Sequence, residues 1–166
     1  MKQHILLAGL LMPCLAMAAD VEVLGNFDDW TAYSANDGLE QVCYMASQPT
    51  KSQGKYSRRD DVFLIVTHRP QKAFDVVNSV AGYTYKSTSK PELIIDKNKA
   101  IELKGHEDKA WAKNSETDAK LVAEMKKGTI ATLIGTSARG TKTTDTFSLK
   151  GFSKAYDAIN KACGRE

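Results

Sequence analysis

Histidine and cysteine are scarce in this chain, three of each in 166 residues. Beyond the first twenty residues only His68, His106, Cys43 and Cys163 remain. The two histidines stand alone, without the i,i+4 partner or cysteine neighbours that a metal site needs, so no metal is expected. The cysteines are too far apart for a C-x-x-C redox pair. No Walker loop, dinucleotide fingerprint or G-x-S-x-G elbow is present, and no cofactor is expected. Charge of one sign is missing as well: 23 basic and 20 acidic residues are interspersed and leave a net +3. Such a balance excludes a nucleic-acid partner and a membrane-binding charged tail. After residue 17 no apolar run is long enough for a transmembrane helix, which takes about 20 residues. Repeats, low-complexity tracts and dividing linkers are also lacking, so residues 20–166 read as one domain.

What is present at the start is an export signal. "MKQHILLAGLLMPCLAMAAD" carries Lys2, an apolar run from Ile5 to Met17, and Ala16-Met17-Ala18 in the A-x-A pattern of a cleavable leader. Residues 1–19 are therefore expected to be a signal peptide. A lipoprotein signal ending at Cys14 competes, but Pro13 is a poor residue before such a cysteine. The mature chain would keep two cysteines in an oxidising compartment, where thiols pair. Cys43 and Cys163 then have one possible intramolecular bridge, the alternative being two buried free thiols.

Periodicity over the rest is mostly that of strands. "FDDWTAYSA" and "LEQVCYMAS" flank Asn36-Asp37-Gly38 and predict a hairpin. Residues 48–61, "QPTKSQGKYSRRDD", are polar and read as a loop. "VFLIVTHRP" is β-branched and apolar, as a central strand would be. "FDVVNSVAGYTYKS" is β-rich and reads as a strand with a bulge at Gly82, and "PELIIDKNKAIEL" reads as a hairpin around residues 96–99. "KGHEDKA" around His106 reads as a turn. Two segments carry helix signals. Residues 115–127 offer Ser115 as N-cap with Asp118 three later, Leu121, Val122 and Met125 in a stripe, and Lys126-Lys127-Gly128 at the end. Residues 153–163 repeat the logic with Ser153 as cap and Gly164 as stop. The fold class is mainly β, an antiparallel sheet or a two-sheet sandwich with two short helices.

The most informative stretch is "GTSARGTKTTDTFSLKGF", residues 135–152. Alternating strands around Ser137-Ala138-Arg139-Gly140-Thr141 predict a hairpin. Its tip gathers Arg139, Ser137 and Thr141, a guanidinium with hydroxyls, which suits a carboxylate, a phosphate or a sugar. The plainer alternative has Arg139 solvating the turn or pairing with Asp145. A small hydrolase using Ser137 or His68 is the other class, and needs a base beside the nucleophile. Trp30, Trp111, Tyr83 and Tyr85 form either an aromatic contact surface or core.

These same segments, with "VCYMASQP", "FLIVTHRP", "VAGY" and "AEMKKG", resemble the invasion-associated locus B family of alphaproteobacteria over about Gly25 to Cys163. The chain departs from better-known members in having Tyr33-Ser34 where they carry an early cysteine. The resemblance implies export to the periplasm, the cell surface or the medium, and a compact β-rich domain without enzymatic activity. It also implies binding of an envelope component or another protein, in host-associated bacteria for attachment or invasion. It supplies no site residues.

Overall fold

The computed structural model describes residues 20–165, apart from residues 37 and 39. The expected leader, Cys14 and Asp37 lie outside the described residues. Strands β1 (Val21–Phe27), β2 (Trp30–Asn36), β3 (Gln41–Ser47), β4 (Lys51–Gly54), β5 (Phe63–Arg69), β6 (Ala73–Val80), β7 (Glu92–Ile95), β8 (Ile101–Glu102), β9 (Lys104–His106) and β10 (Lys109–Trp111) precede helix α1 (Ser115–Lys127). Strands β11 (Ile130–Thr136) and β12 (Lys142–Ser148) and helix α2 (Phe152–Ala162) follow. Two antiparallel sheets result, of order β1-β2-β3-β5-β6-β10-β9 and β4-β12-β11-β7-β8. The architecture is the mainly β, two-sheet arrangement with two helices that the patterning implied.

Alternation decides which side of each strand enters the core. In β5 it is Leu64, Val66 and His68 that are buried, while Phe63, Ile65 and Thr67 stay half-exposed on the outer face. The apolar run read as a central strand is central in its sheet, and it is covered on one side. Strand β12 places Thr143, Asp145 and Phe147 inward on the same period-two rule. One hydrophobic cluster joins both sheets and both helices, from Trp30 and Met45 through Leu93 and Leu133 to Leu121 and Ile159. Trp30 is central to it. Its ring meets Phe152 edge-on at 5.0 Å, and its Nε1 donates to the Ser148 carbonyl at 3.0 Å.

Several local expectations change. Residues 48–61 are not all loop: Lys51–Gly54 pair with β12 as an edge strand, although every residue of β4 is exposed. "KGHEDKA" forms a short hairpin from β9 to β10 rather than a turn alone. Gly82 follows β6 instead of sitting in a bulge within it. Helix α1 is capped by Asn114, whose Oδ1 accepts from Thr117 N at 2.9 Å, not by Ser115. Asp118 is freed from a capping box and turns inward, accepting from Val77 N at 2.8 Å. Helix α2 starts after Gly151, in the left-handed conformation at φ 87°, and Ser153 makes no cap.

Cys43 and Cys163 are joined by a disulfide with Cα atoms 6.0 Å apart. It fastens β3 to the C-terminal end of α2, across 120 residues of sequence. Among the described residues no helix is long and apolar enough to cross a membrane.

Candidate functional site: a basic cleft at the hairpin tip

Strands β11 and β12 pair in an unbroken register from Ile130 opposite Ser148 to Thr136 opposite Lys142. Residues 137–141 close them. Ser137 N donates to Thr141 O at 2.9 Å, and Gly140 N donates to Ser137 O at 2.8 Å. The Ser137 hydroxyl accepts from Thr141 N at 3.1 Å, which commits it to holding the turn. A second tether comes from the 83–86 segment: Ala138 N donates to Thr84 O at 2.8 Å, and Tyr85 bridges to Ser137. The tip is therefore fixed, with Arg139 exposed upon it.

Opposite the tip runs the segment 55–61, anchored by one side chain. Arg59 turns inward and its two terminal nitrogens donate to the two oxygens of Asp145, each at 2.7 Å. Both side chains are almost wholly buried, at 5% and 1% exposure. Arg59 Nε also donates to Ala81 O at 2.6 Å, so three of its donors are engaged. Burial opposes the charge on Arg59, but the paired hydrogen bonds and the charge of Asp145 outweigh it and raise its pKa. The guanidinium lies 4.8 Å from the Tyr83 ring and 5.6 Å from that of Tyr56. The Tyr83 hydroxyl is in turn 2.7 Å from Thr143 Oγ1. Burial raises the Tyr83 pKa, so this phenol stays protonated.

Backbone geometry brings these parts close. Gly82 has φ 69°, and a Cβ there would fall 2.2 Å from the Asp60 carbonyl oxygen. Asp60 N donates to Gly82 O at 3.1 Å across the same contact. Only glycine permits both the dihedral and the approach. Gly135 does the corresponding service on β11, where a side chain would run into the Tyr83 hydroxyl at 2.4 Å.

Between the segment and the tip lies a cleft of about 590 Å³. Ser137, Arg139 and Thr141, the three residues singled out in the sequence, all line it. The structure adds Lys55, Tyr56, Arg58, Arg59 and Tyr83, which the sequence reading left in a loop and in candidate core. Asp145 belongs to Arg59, so the suggested pairing of Arg139 with Asp145 does not form. Lys55, Arg58 and Arg139 make no ion pair among the described residues. Among the described residues Asp60 is the only acid on the wall of this cleft. A second hollow of about 570 Å³ shares Tyr56, Ser57, Arg58, Arg59 and Asp60 with the first.

His68 is elsewhere, beneath α2 in the other sheet. Its Nε2 donates to Asn160 Oδ1 at 2.9 Å and its Nδ1 accepts from Asp75 N at 3.1 Å. That pattern is the neutral ring with the proton on Nε2, and burial lowers its pKa accordingly. Both nitrogens are spoken for, and the ring is wholly buried. Ser137 and His68 are not brought together, so the geometry offers no nucleophile and base at these residues. Asp75, at φ 63°, accepts from the Tyr156 hydroxyl and from Arg165, each at 2.5 Å. Burial first, then Asp75, pushes the Tyr156 pKa up to about 12. His106 is exposed on β9. Trp30 and Tyr85 are core, while Trp111 and Tyr83 are half-buried. No group of three or more metal-ligating side chains occurs among the described residues.

A family model described as "Invasion associated locus B (IalB) protein" matches residues 30–160. No match is found among curated proteins or solved structures. The matched region runs from the central Trp30 through the cleft to Asn160 on α2, and the chain belongs to the invasion associated locus B family.

Proposed function

We propose that the protein acts outside the cytoplasm, after loss of residues 1–19, as a non-catalytic module that binds an envelope component or another protein. The binding site is the cleft under Arg139. The observation that carries this reading is the convergence of three cations, Lys55, Arg58 and Arg139, on one hollow beside Tyr56 and Tyr83, with no ion pair to any of them among the described residues. A structural role alone gives no reason to gather like charges where each repels the others. The Cys43–Cys163 bridge supports a periplasmic, secreted or cell-surface location, since such bonds persist in oxidising compartments. The family description adds a setting in which that binding serves attachment to, or entry into, a host cell. Envelope housekeeping is the other setting for the same chemistry.

Cross-linking and co-purification from the native cell envelope test the reading. Wild type should capture a reproducible partner, and Arg139→Ala should deplete it by about tenfold or more, the loss of one charge-assisted hydrogen bond. Equal capture by both proteins would sink the proposal.

A further inference from the structure

We infer that the cleft takes an anionic glycan, a chain of sugar rings bearing carboxylate or sulfate groups, laid across Tyr56–Asp60. This inference rests on the binding role proposed above and narrows its ligand.

Charge comes first. Lys55, Arg58 and Arg139 line the main hollow with the acid Asp60, while the second hollow adds Asp61, so the excess of positive charge lies in the main hollow on the Arg139 side. Arg59, which lines both hollows, and the buried Asp145 neutralise each other. The local field therefore favours an anion, and Arg58 and Arg139 remain to bind it with paired donors.

Shape comes second. Two hollows of about 590 and 570 Å³ meet along the same five residues, Tyr56 to Asp60. Each alone falls within the roughly 300–1,000 Å³ range of small-ligand sites. Adjoining across a shared ridge, they suit an extended ligand better than a compact one. Tyr56 tops this ridge with 40% of its surface exposed, one of few large hydrophobic side chains left open in the described residues. Its ring is an amphipathic face on which a sugar can stack.

Lining chemistry then separates a glycan from an acidic peptide. Beside the cations the wall presents hydroxyls, among them Ser57, Thr84 and Thr141. Apolar side chains are few, Ala138 and the tyrosine rings in the main hollow and Pro49 and Val62 in the second. Hydroxyls that donate and accept match the alternating donors and acceptors of sugar rings.

Calorimetric titration with defined hexasaccharides tests the inference. The probes are hexagalacturonate, a sulfated heparin hexasaccharide, neutral maltohexaose and hexaglutamate. At least one anionic hexasaccharide should bind, more weakly as salt rises, and maltohexaose should not. Arg58→Ala and Arg139→Ala should each weaken binding about tenfold. Tyr56→Ala should weaken it about three- to tenfold while leaving the salt dependence in place. Lys120→Ala, on α1 and away from the cleft, should change nothing, and unchanged melting curves would show that all variants fold.

Hexaglutamate binding as tightly as the sugars, or sugar binding indifferent to Arg58 and Arg139, overturns the inference. If neither anionic sugar binds at millimolar concentration while envelope capture still depends on Arg139, the glycan is wrong and the binding role stands. If capture is also independent of Arg139, both fall.

Discussion

Asp145 and Asp75 are buried carboxylates, one in each sheet, and each is held by an arginine beside aromatic rings. Around Asp75 the parts close over one another. Tyr156 and Arg165 come from α2 and the residues just after it, His68 packs against Tyr156, and the Cys43–Cys163 bridge pins the helix end beside them. Around Asp145 the closure stops halfway. Arg59 satisfies the carboxylate, Tyr83 lies against the guanidinium, and beyond them the wall opens into a cleft with cations still unpaired. The same chemistry makes a clamp where a helix covers it, and the floor of a site where only a loop does. Satisfying Asp145 internally is what leaves Arg139 and Arg58 available to something else.

The largest expected effect breaks the cleft floor. Asp145→Ala leaves Arg59 buried and uncompensated, and should cost about 3–5 kcal/mol in urea unfolding. Segment 55–61 should loosen with it and cleft binding should go too. A loss under about 1 kcal/mol would show that the pair does not anchor the segment.

Breaking the clamp should act on stability alone. The Cys43→Ala/Cys163→Ala double variant, or reduction of the wild type, should lose about 2–4 kcal/mol. Ligand capture at a temperature where the variant is still folded should match wild type. Loss of capture in a folded variant would couple the two ends and contradict the contrast drawn between them.

The two ends also differ in pH response. His68 is held neutral with a pKa below its unfolded value of about 6.5. Below that unfolded pKa the unfolded chain binds a proton that the folded ring refuses, so stability falls as pH drops from about 6.5 toward the folded pKa. This one group contributes a slope of at most about 1.4 kcal/mol per pH unit. His68→Gln should flatten the profile in that window, and an unchanged profile would show that His68 is free to titrate. Arg139→Ala should be the mildest of all in folding terms, within about 0.5 kcal/mol of wild type, because its side chain is exposed and unpaired.

How much of this could be read from residues alone follows the same division. The β11–β12 hairpin was legible because its inward residues alternate from Ala131 to Ser137 and again from Thr143 to Leu149, on either side of an exposed tip. Both helices were legible from their stripes and end residues, with their caps displaced by one residue to Asn114 and two to Gly151. Cys43 and Cys163 were legible as a pair because Cys14 falls in the expected leader. Strands β4 and β9 were not, since all their side chains are exposed and their existence rests on backbone pairing with a neighbour. The Arg59–Asp145 contact spans 86 residues, and "KYSRRDD" gives no sign of which arginine turns inward. A detectable hint was Asp145 itself, an acid on the core face of an alternating strand, which demands a buried cation. That demand is what assembles the cleft, and it is visible only once the strand's inward face is known.

The most direct test sets the two ends against each other in one experiment, envelope capture by Arg139→Ala and Arg165→Ala beside the wild type. The account predicts that Arg139→Ala loses the partner with its melting temperature unchanged. Arg165→Ala should keep the partner while losing about 1 kcal/mol of stability, its pair with Asp75 being partly exposed. Capture lost with Arg165→Ala and retained with Arg139→Ala would contradict the assignment of the cleft as the binding end.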